Sequence, residues 1–157
     1  MRSEKTYSEN RFHIQRFWAE LRNLTIDLQY GGSLLGTVRS SKRGHTYVSN
    51  SDYSIIEWLA ESIDNDIEAG DLIVDVGCGK GRAISGFHYY FNRRRQRSVE
   101  LIGIEYEQEV AAITQQRFAD IPGIEIISGD ATAFLPPNAK FIFMANPFSD
   151  PGILEAF

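Results

Sequence analysis

Hydrophobic and polar positions follow two rhythms along this chain, and the change between them falls near residue 70. From Ser8 to about Tyr30, apolar side chains at Phe12, Ile14, Phe17, Trp18, Leu21, Leu24 and Leu28 recur at mostly helical spacing, with Arg11, Arg16, Glu20 and Asp27 between them. The spacing predicts an amphipathic helix that lies on the main domain. A second helix is predicted from about Asp52 to Ile63, where Ser54-Ile55-Ile56-Glu57 has the S-x-x-E spacing of a capping box. Ile55, Ile56, Trp58, Leu59 and Ile63 supply its apolar face. All five prolines fall at Pro122 or later, so none interrupts these helices. Between them, Gly31 to Asn50 holds four glycines and no acidic residue, and reads as a loop made basic by Arg39, Lys42, Arg43 and His45.

After the turn Glu68-Ala69-Gly70-Asp71, short apolar strands alternate with helical segments, the pattern of a parallel sheet built from βαβ units. Strands are predicted at Leu72 to Val76, Leu101 to Ile104, Ile124 to Ile127 and Phe141 to Met144. Their apolar runs suit strands covered by helices on both faces. The connecting helices are expected at about Arg82 to Phe91 and Gln108 to Asp120, with a short crossover near Ala131 to Leu135. The chain then divides into residues 1–50, a helix and a lid-like basic loop, and residues 51–157, an α/β domain.

Composition narrows the functional classes. The 157 residues, 43% of them hydrophobic, can bury one core, and 16 Lys and Arg against 21 Asp and Glu leave a net charge of −5, which gives no general pull toward nucleic acid or acidic lipid. Met1-Arg2-Ser3-Glu4-Lys5 lacks the apolar run of a signal peptide, and no apolar stretch approaches the ~18 residues of a membrane helix. The lone Cys78 can form neither an internal disulfide nor a thiolate pair for zinc, so a reducing, cytoplasmic setting is expected. His13, His45 and His88 fall in different elements, and no metal site is predicted. Arg93, Arg94, Arg95 and Arg97 precede the second strand, at the edge of the sheet opposite the strand ends that bind ligands. They read as a solvated loop complementing a helix C-terminus.

The informative stretch is Asp75-Val76-Gly77-Cys78-Gly79-Lys80-Gly81, a glycine-rich turn directly after a predicted strand and before a predicted helix. Glycine there permits a tight turn and close backbone approach to a ligand. A dinucleotide fingerprint G-x-G-x-x-G would need its third glycine at position 82, which is Arg82. Asp75 at the strand end repels a diphosphate and welcomes a cation. This counts against a nicotinamide or flavin oxidoreductase.

At these residues the chain resembles the class I S-adenosylmethionine-dependent methyltransferases, whose first motif is an acidic residue followed by G-x-G-x-G. The resemblance implies a Rossmann-like three-layer sandwich with an N-terminal helical extension, and S-adenosylmethionine as cofactor. It implies cofactor contacts from Asp75, Gly77, Cys78, Gly79 and Gly81, and from Glu105 and Tyr106 after the second strand, Glu105 accepting hydrogen bonds from the ribose hydroxyls. Asp130 and Ala131 follow the third strand, where an acid usually meets the adenine amino group. Asn146, Pro147 and Phe148 close the fourth, matching the N/D-P-P-Y/F motif of amino-directed members except for its second proline; they are the candidate catalytic residues for an unidentified methyl acceptor, and Asn146 is expected to contact the cofactor as well. All four features sit at the carboxyl ends of successive strands, where open α/β sheets bind ligands. Glu105 and Asp130 could instead be plain helix caps, and Cys78 reads better as a small packing residue than as a nucleophile. In the family, segments before the first strand fold over the cofactor or substrate. Tyr47 and Tyr53 are therefore expected near the sulfonium or the acceptor, and Arg39, Lys42 and Arg43 near an anionic substrate.

The family's sheet has seven strands in the order 3-2-1-4-5-7-6, whereas this sequence reaches only the fourth. The expectation is an incomplete parallel sheet of strands 1–4, with the strand at Phe141-Met144 left as an unpaired apolar edge open to self-association or to a partner chain. The alternative class is a non-catalytic Rossmann-like module that another chain completes.

Overall fold

The computed structural model describes residues 17–32 and 51–145. Helix α1 spans residues 17–29 and α2 spans Tyr53–Ser62; then follow β1 (Leu72–Val76), α3 (Arg82–His88), a π-helical turn (Tyr89–Arg94), β2 (Glu100–Glu105), α4 (Gln108–Phe118), β3 (Ile124–Ser128), α5 (Ala131–Phe134) and β4 (Ala139–Met144). The four strands are parallel in the order β3-β2-β1-β4. The doubly wound α/β core is therefore as expected, with strand limits within two residues of those predicted.

The two faces of the sheet are covered unequally. On one face, Ile73, Leu101, Ile126, Phe141 and Phe143 join side chains of α1 to α4, among them Ile26, Ile56, Ile84, Phe87 and Phe118, in one apolar cluster. Each fully buried member contributes roughly 1.5–3 kcal/mol of burial energy. On the other face, Leu72, Val74, Val76 and Ile104 pack against Ala131 of the four-residue α5. β1 is buried at every position, whereas β4 alternates half-buried and exposed residues. The expectation that all four strands are covered on both sides therefore fails for β3 and β4. They are the outer strands of the described sheet, and Ile142 and Met144, each 38% exposed, point away from Phe87.

The helices before β1 also differ from expectation. α1 does lie on the domain, but it buries Asn23, Ile26, Asp27 and Tyr30 and turns Phe17, Trp18, Leu21, Leu24 and Leu28 outward. Apolar spacing identified the helix and misread its inner side, because a buried ion pair of Asp27 with Arg82 decides the packing. In α2 the N-cap is Asp52, whose side chain accepts the Ser54 N–H at 2.8 Å; Ser54 is not the cap. Glu57 does not fold back as a capping box requires, but pairs with Arg22 and Arg94. Only Ile56 of the predicted apolar face is buried, beside Tyr53 and Ala60, and Ile55 and Trp58 stand in solvent.

The arginine cluster ties helices together. Arg93 donates to Gln29 at 3.1 Å and lies over the Tyr30 ring, Arg95 and Arg97 pair with Asp64, and Arg97 also donates to the carbonyls of Asp64 and Ile67 at 2.6 Å. Arg94, Arg95 and Arg97 thus pair with Glu57 and Asp64, and Arg93 and Arg94 lie in the last turn of the π-helical segment, where a helix C-terminus favours positive charge. Among the described residues no helix is long and apolar enough to cross a membrane.

Candidate active site

The turn after β1 needs all three of its glycines. Gly77, Gly79 and Gly81 have φ of 76°, 53° and 82°, a region that side chains with a Cβ rarely adopt. At Gly81 a Cβ would also lie 2.4 Å from the Phe118 ring. The loop is held by hydrogen bonds from neighbouring elements. Gly77 and Cys78 donate their N–H groups to the Ile104 carbonyl at 2.9 and 3.1 Å, and the Thr114 hydroxyl on α4 donates to the Gly79 carbonyl at 2.8 Å.

Glu105, at the end of β2, is buried and reaches across to this loop. One carboxylate oxygen accepts the Gly79 N–H and the other the Glu107 N–H, both at 2.8 Å. A carboxylate has about four acceptor positions, so two remain for a ligand. Asp75, on β1, is 2% exposed and its Oδ2 has no hydrogen-bond partner. Burial, reinforced by the negative charge of Glu105, raises its pKa from 3.8 to about 8. Two carboxylates thus converge below the glycine turn, and the one without a partner is the arrangement a cation relieves.

Cys78 is buried, and its Sγ lies where a Cβ on Gly103 would come within 2.8 Å. Burial and the charges of Asp75 and Glu105 push its thiol well up, so it stays protonated and serves as packing. Tyr106 is half exposed beside Glu105. Asp130 is the N-cap of α5, its Oδ1 accepting the Thr132 N–H at 3.0 Å and the Thr132 hydroxyl at 2.7 Å, and Ala131 is buried against β1 and β2. Asp75, the three glycines, Cys78 and Glu105 therefore meet in one place, and Asp130 lies at the same sheet edge, at the end of β3. Asn146, Pro147 and Phe148 lie outside the described residues, as do His13, Arg39, Lys42, Arg43, His45 and Tyr47.

Tyr53 departs from its expected place near a sulfonium. It is a core residue whose hydroxyl donates to Asp27 Oδ1 at 2.8 Å, with the Arg82 guanidinium 5.5 Å from the centre of its ring. Arg82 begins α3 directly after Gly81 and holds Asp27 through two hydrogen bonds, 2.7 and 3.2 Å. Sequence reasoning passed over this anchor of the glycine turn. Its trace is the polar spacing Asn23, Asp27, Tyr30, which marks a second side of α1.

The fold has counterparts among solved structures. The 23S rRNA methyltransferase ErmE superposes with a TM-score of 0.53 at 20% identity, covering 69% of this chain and 40% of that one. The fold is that of a class I methyltransferase. A protein from Galdieria sulphuraria assigned as a sarcosine dimethylglycine methyltransferase superposes with a TM-score of 0.55 at 15% identity, over 67% of this chain and again 40% of the other. The methyltransferase-fold region of this chain thus spans less than half of these solved chains. No protein-family model and no curated protein matches the chain.

Proposed function

We propose that this chain binds S-adenosylmethionine at the carboxyl edge of β1 to β3 and forms the cofactor-holding part of a methyltransferase. The observation that carries this reading is the buried Asp75 Oδ2 without a partner, beside Glu105 and under three left-handed glycines. A diphosphate would meet the charge of Glu105 and keep Asp75 protonated, whereas a ligand with an ammonium and a sulfonium would favour the ionised form of Asp75 and be attracted by both groups. Asp75 and the glycine turn would hold the amino-acid end, the two open acceptor positions of Glu105 would take the ribose hydroxyls with Tyr106 alongside, and Asp130 with Ala131 would face the adenine. Bound there, the cofactor supplies a methyl group on a positive sulfur.

The work left to the protein is alignment and exclusion of water, since an in-line displacement needs no covalent enzyme intermediate. The acceptor is unidentified, with nitrogen favoured because Asn146 and the carbonyl after it can accept hydrogen bonds from an amine while Phe148 offers an aromatic face. A neutral amine would present its lone pair to the methyl group and release its proton afterwards. A reducing, cytoplasmic setting agrees with the single, buried cysteine.

Calorimetric titration with S-adenosylhomocysteine tests the reading. Saturable binding is expected, and Glu105→Ala and Asp130→Ala should each weaken it by roughly 1–3 kcal/mol. Absence of binding by the wild type, where a control methyltransferase binds, overturns it. Asn146→Ala should abolish methyl transfer to an amine and weaken that binding less than Glu105→Ala does. A second reading rests on β4, which among the described residues pairs only with β1 and exposes Ile142 and Met144. In it, another strand adds to this edge and the chain is a non-catalytic module; methyl transfer by a monomer would exclude it.

A further inference from the structure

An apolar stripe runs along the outward side of α1, flanked by the exposed Glu20, Arg22, Thr25 and Gln29. Phe17, Trp18, Leu21, Leu24 and Leu28 are 62%, 61%, 42%, 36% and 63% exposed. Residues 17, 21, 24 and 28 are separated by four, three and four positions. This is the alternation of a heptad seam, the pattern by which one helix receives another. A monomer rarely leaves a contiguous apolar patch of more than a few hundred Å² in water. The five side chains expose roughly 600 Å², about three-quarters of the ~800 Å² that each partner buries in a standard interface.

The inner side of the helix fixes how the seam is presented. Asp27 is clamped by Arg82 and Tyr53, the Tyr30 hydroxyl meets His88 Nδ1 at 2.8 Å, Arg22 pairs with Glu57, and Arg117 donates to the carbonyls of Tyr30 and Gly32 at 3.0 Å. The helix is pinned on its polar side, so the apolar side cannot turn inward without breaking a buried ion pair. The seam also carries no charge. Of the charged residues in α1, Asp27 is buried and Arg22 is paired, which leaves Glu20 beside the stripe. An interfacial membrane helix needs a Lys- and Arg-rich polar face, and a nucleic-acid surface needs free positive charge. An uncharged strip of aromatic and leucine side chains has the composition of the core of a protein interface.

We propose that this strip is the interface of a homodimer, in which α1 of a second copy packs antiparallel against it about a two-fold axis. Antiparallel pairing about a point between Leu21 and Leu24 sets Leu21 against Leu24 of the other copy and Phe17 against Leu28, a large ring beside a smaller side chain at both ends. One stripe thus satisfies itself, as an isologous contact requires. The proposal is independent of cofactor binding.

Sedimentation velocity on the full chain tests it, with the wild type, Leu21→Glu/Leu24→Glu and Ile142→Lys measured side by side. Both substitutions in the double variant are at exposed positions, and far-UV circular dichroism should confirm an unchanged fold. The wild type is expected at twice the chain mass. The double variant is expected at a single chain mass, its dimer dissociation constant raised at least ~100-fold, and Ile142→Lys is expected to stay dimeric. A wild type of any other mass overturns the proposal and leaves the strip to a different protein or to residues 33–50. A dimer that survives Leu21→Glu/Leu24→Glu, or one that Ile142→Lys alone dissociates, overturns it as well and moves the contact to the edge of β4.

Discussion

Asp27 and Asp75 are both removed from solvent, one by α1 and α2 and the other by the sheet, yet their surroundings treat them differently. Asp27 is fully buried and receives two hydrogen bonds from Arg82 and one from the Tyr53 hydroxyl. Asp75 is buried to nearly the same degree with an oxygen left unpaired and another carboxylate beside it. The first is a closed arrangement whose charges cancel within the fold. The second carries a free-energy cost in the ligand-free protein, which a cation bound there would offset. Perturbed carboxylates of the second kind concentrate at functional sites, and those of the first kind hold elements together.

The comparison breaks most sharply if Arg82 is truncated. Arg82→Ala takes the guanidinium away from the buried Asp27 carboxylate and should cost about 3–5 kcal/mol of stability, seen as a lower urea midpoint. A loss below ~1 kcal/mol would show that Asp27 is not confined as described. Asp75→Asn should act in the opposite direction. A pKa raised from 3.8 to about 8 means that Asp75 favours the folded state below its ordinary value and that this contribution is lost as pH rises through about 8. The variant lacks that loss, so at pH 8 it should be more stable than the wild type by about 1–3 kcal/mol, with little difference at pH 4, while binding S-adenosylhomocysteine more weakly. Equal stability at both pH values would remove the distinction between the two aspartates.

His88 sharpens the same contrast from the side of a neutral group. Burial, with the nearby Arg93 charge, lowers its pKa from 6.5 to about 4, and its Nδ1 meets the Tyr30 hydroxyl. Stability from the neutral ring is present above pH 6.5 and is lost as pH falls toward 4, the reverse of the Asp75 slope in that window. His88→Gln should flatten the acid limb of a denaturation profile by about 1–2 kcal/mol. The smallest effect belongs to Arg94→Ala, which removes a solvent-facing partner of Glu57 and should change stability by less than ~1 kcal/mol.

Strand positions could be read from residue pattern because a parallel sheet demands short continuous apolar runs, and Leu72 to Val76 is such a run. The glycine turn could be read because three left-handed positions leave little choice of residue. What escaped was decided by pairing across elements. No local signal shows that Asp27 will meet Arg82, 55 residues away, or that Asp52 and not Ser54 will cap α2. The inner side of α1 went wrong for the same reason: apolar periodicity finds a stripe but does not say which molecule covers it. The covering of β4 was overestimated because an outer strand of the described sheet carries the same kind of apolar run as a central one.

Apart from Asp27, which holds Arg82, the supports of the glycine turn come from a short stretch of chain. Ile104, Glu105, Glu107 and Thr114 all lie within 34 positions of Lys80. β4 joins β1 only after residue 139 has been made, and its Phe141 and Phe143 then close over Phe87. During synthesis the glycine turn can take shape before β4 docks, and amide exchange should be slower in β2 than in β4. A turn supported this early does not wait on the strand that closes over Phe87.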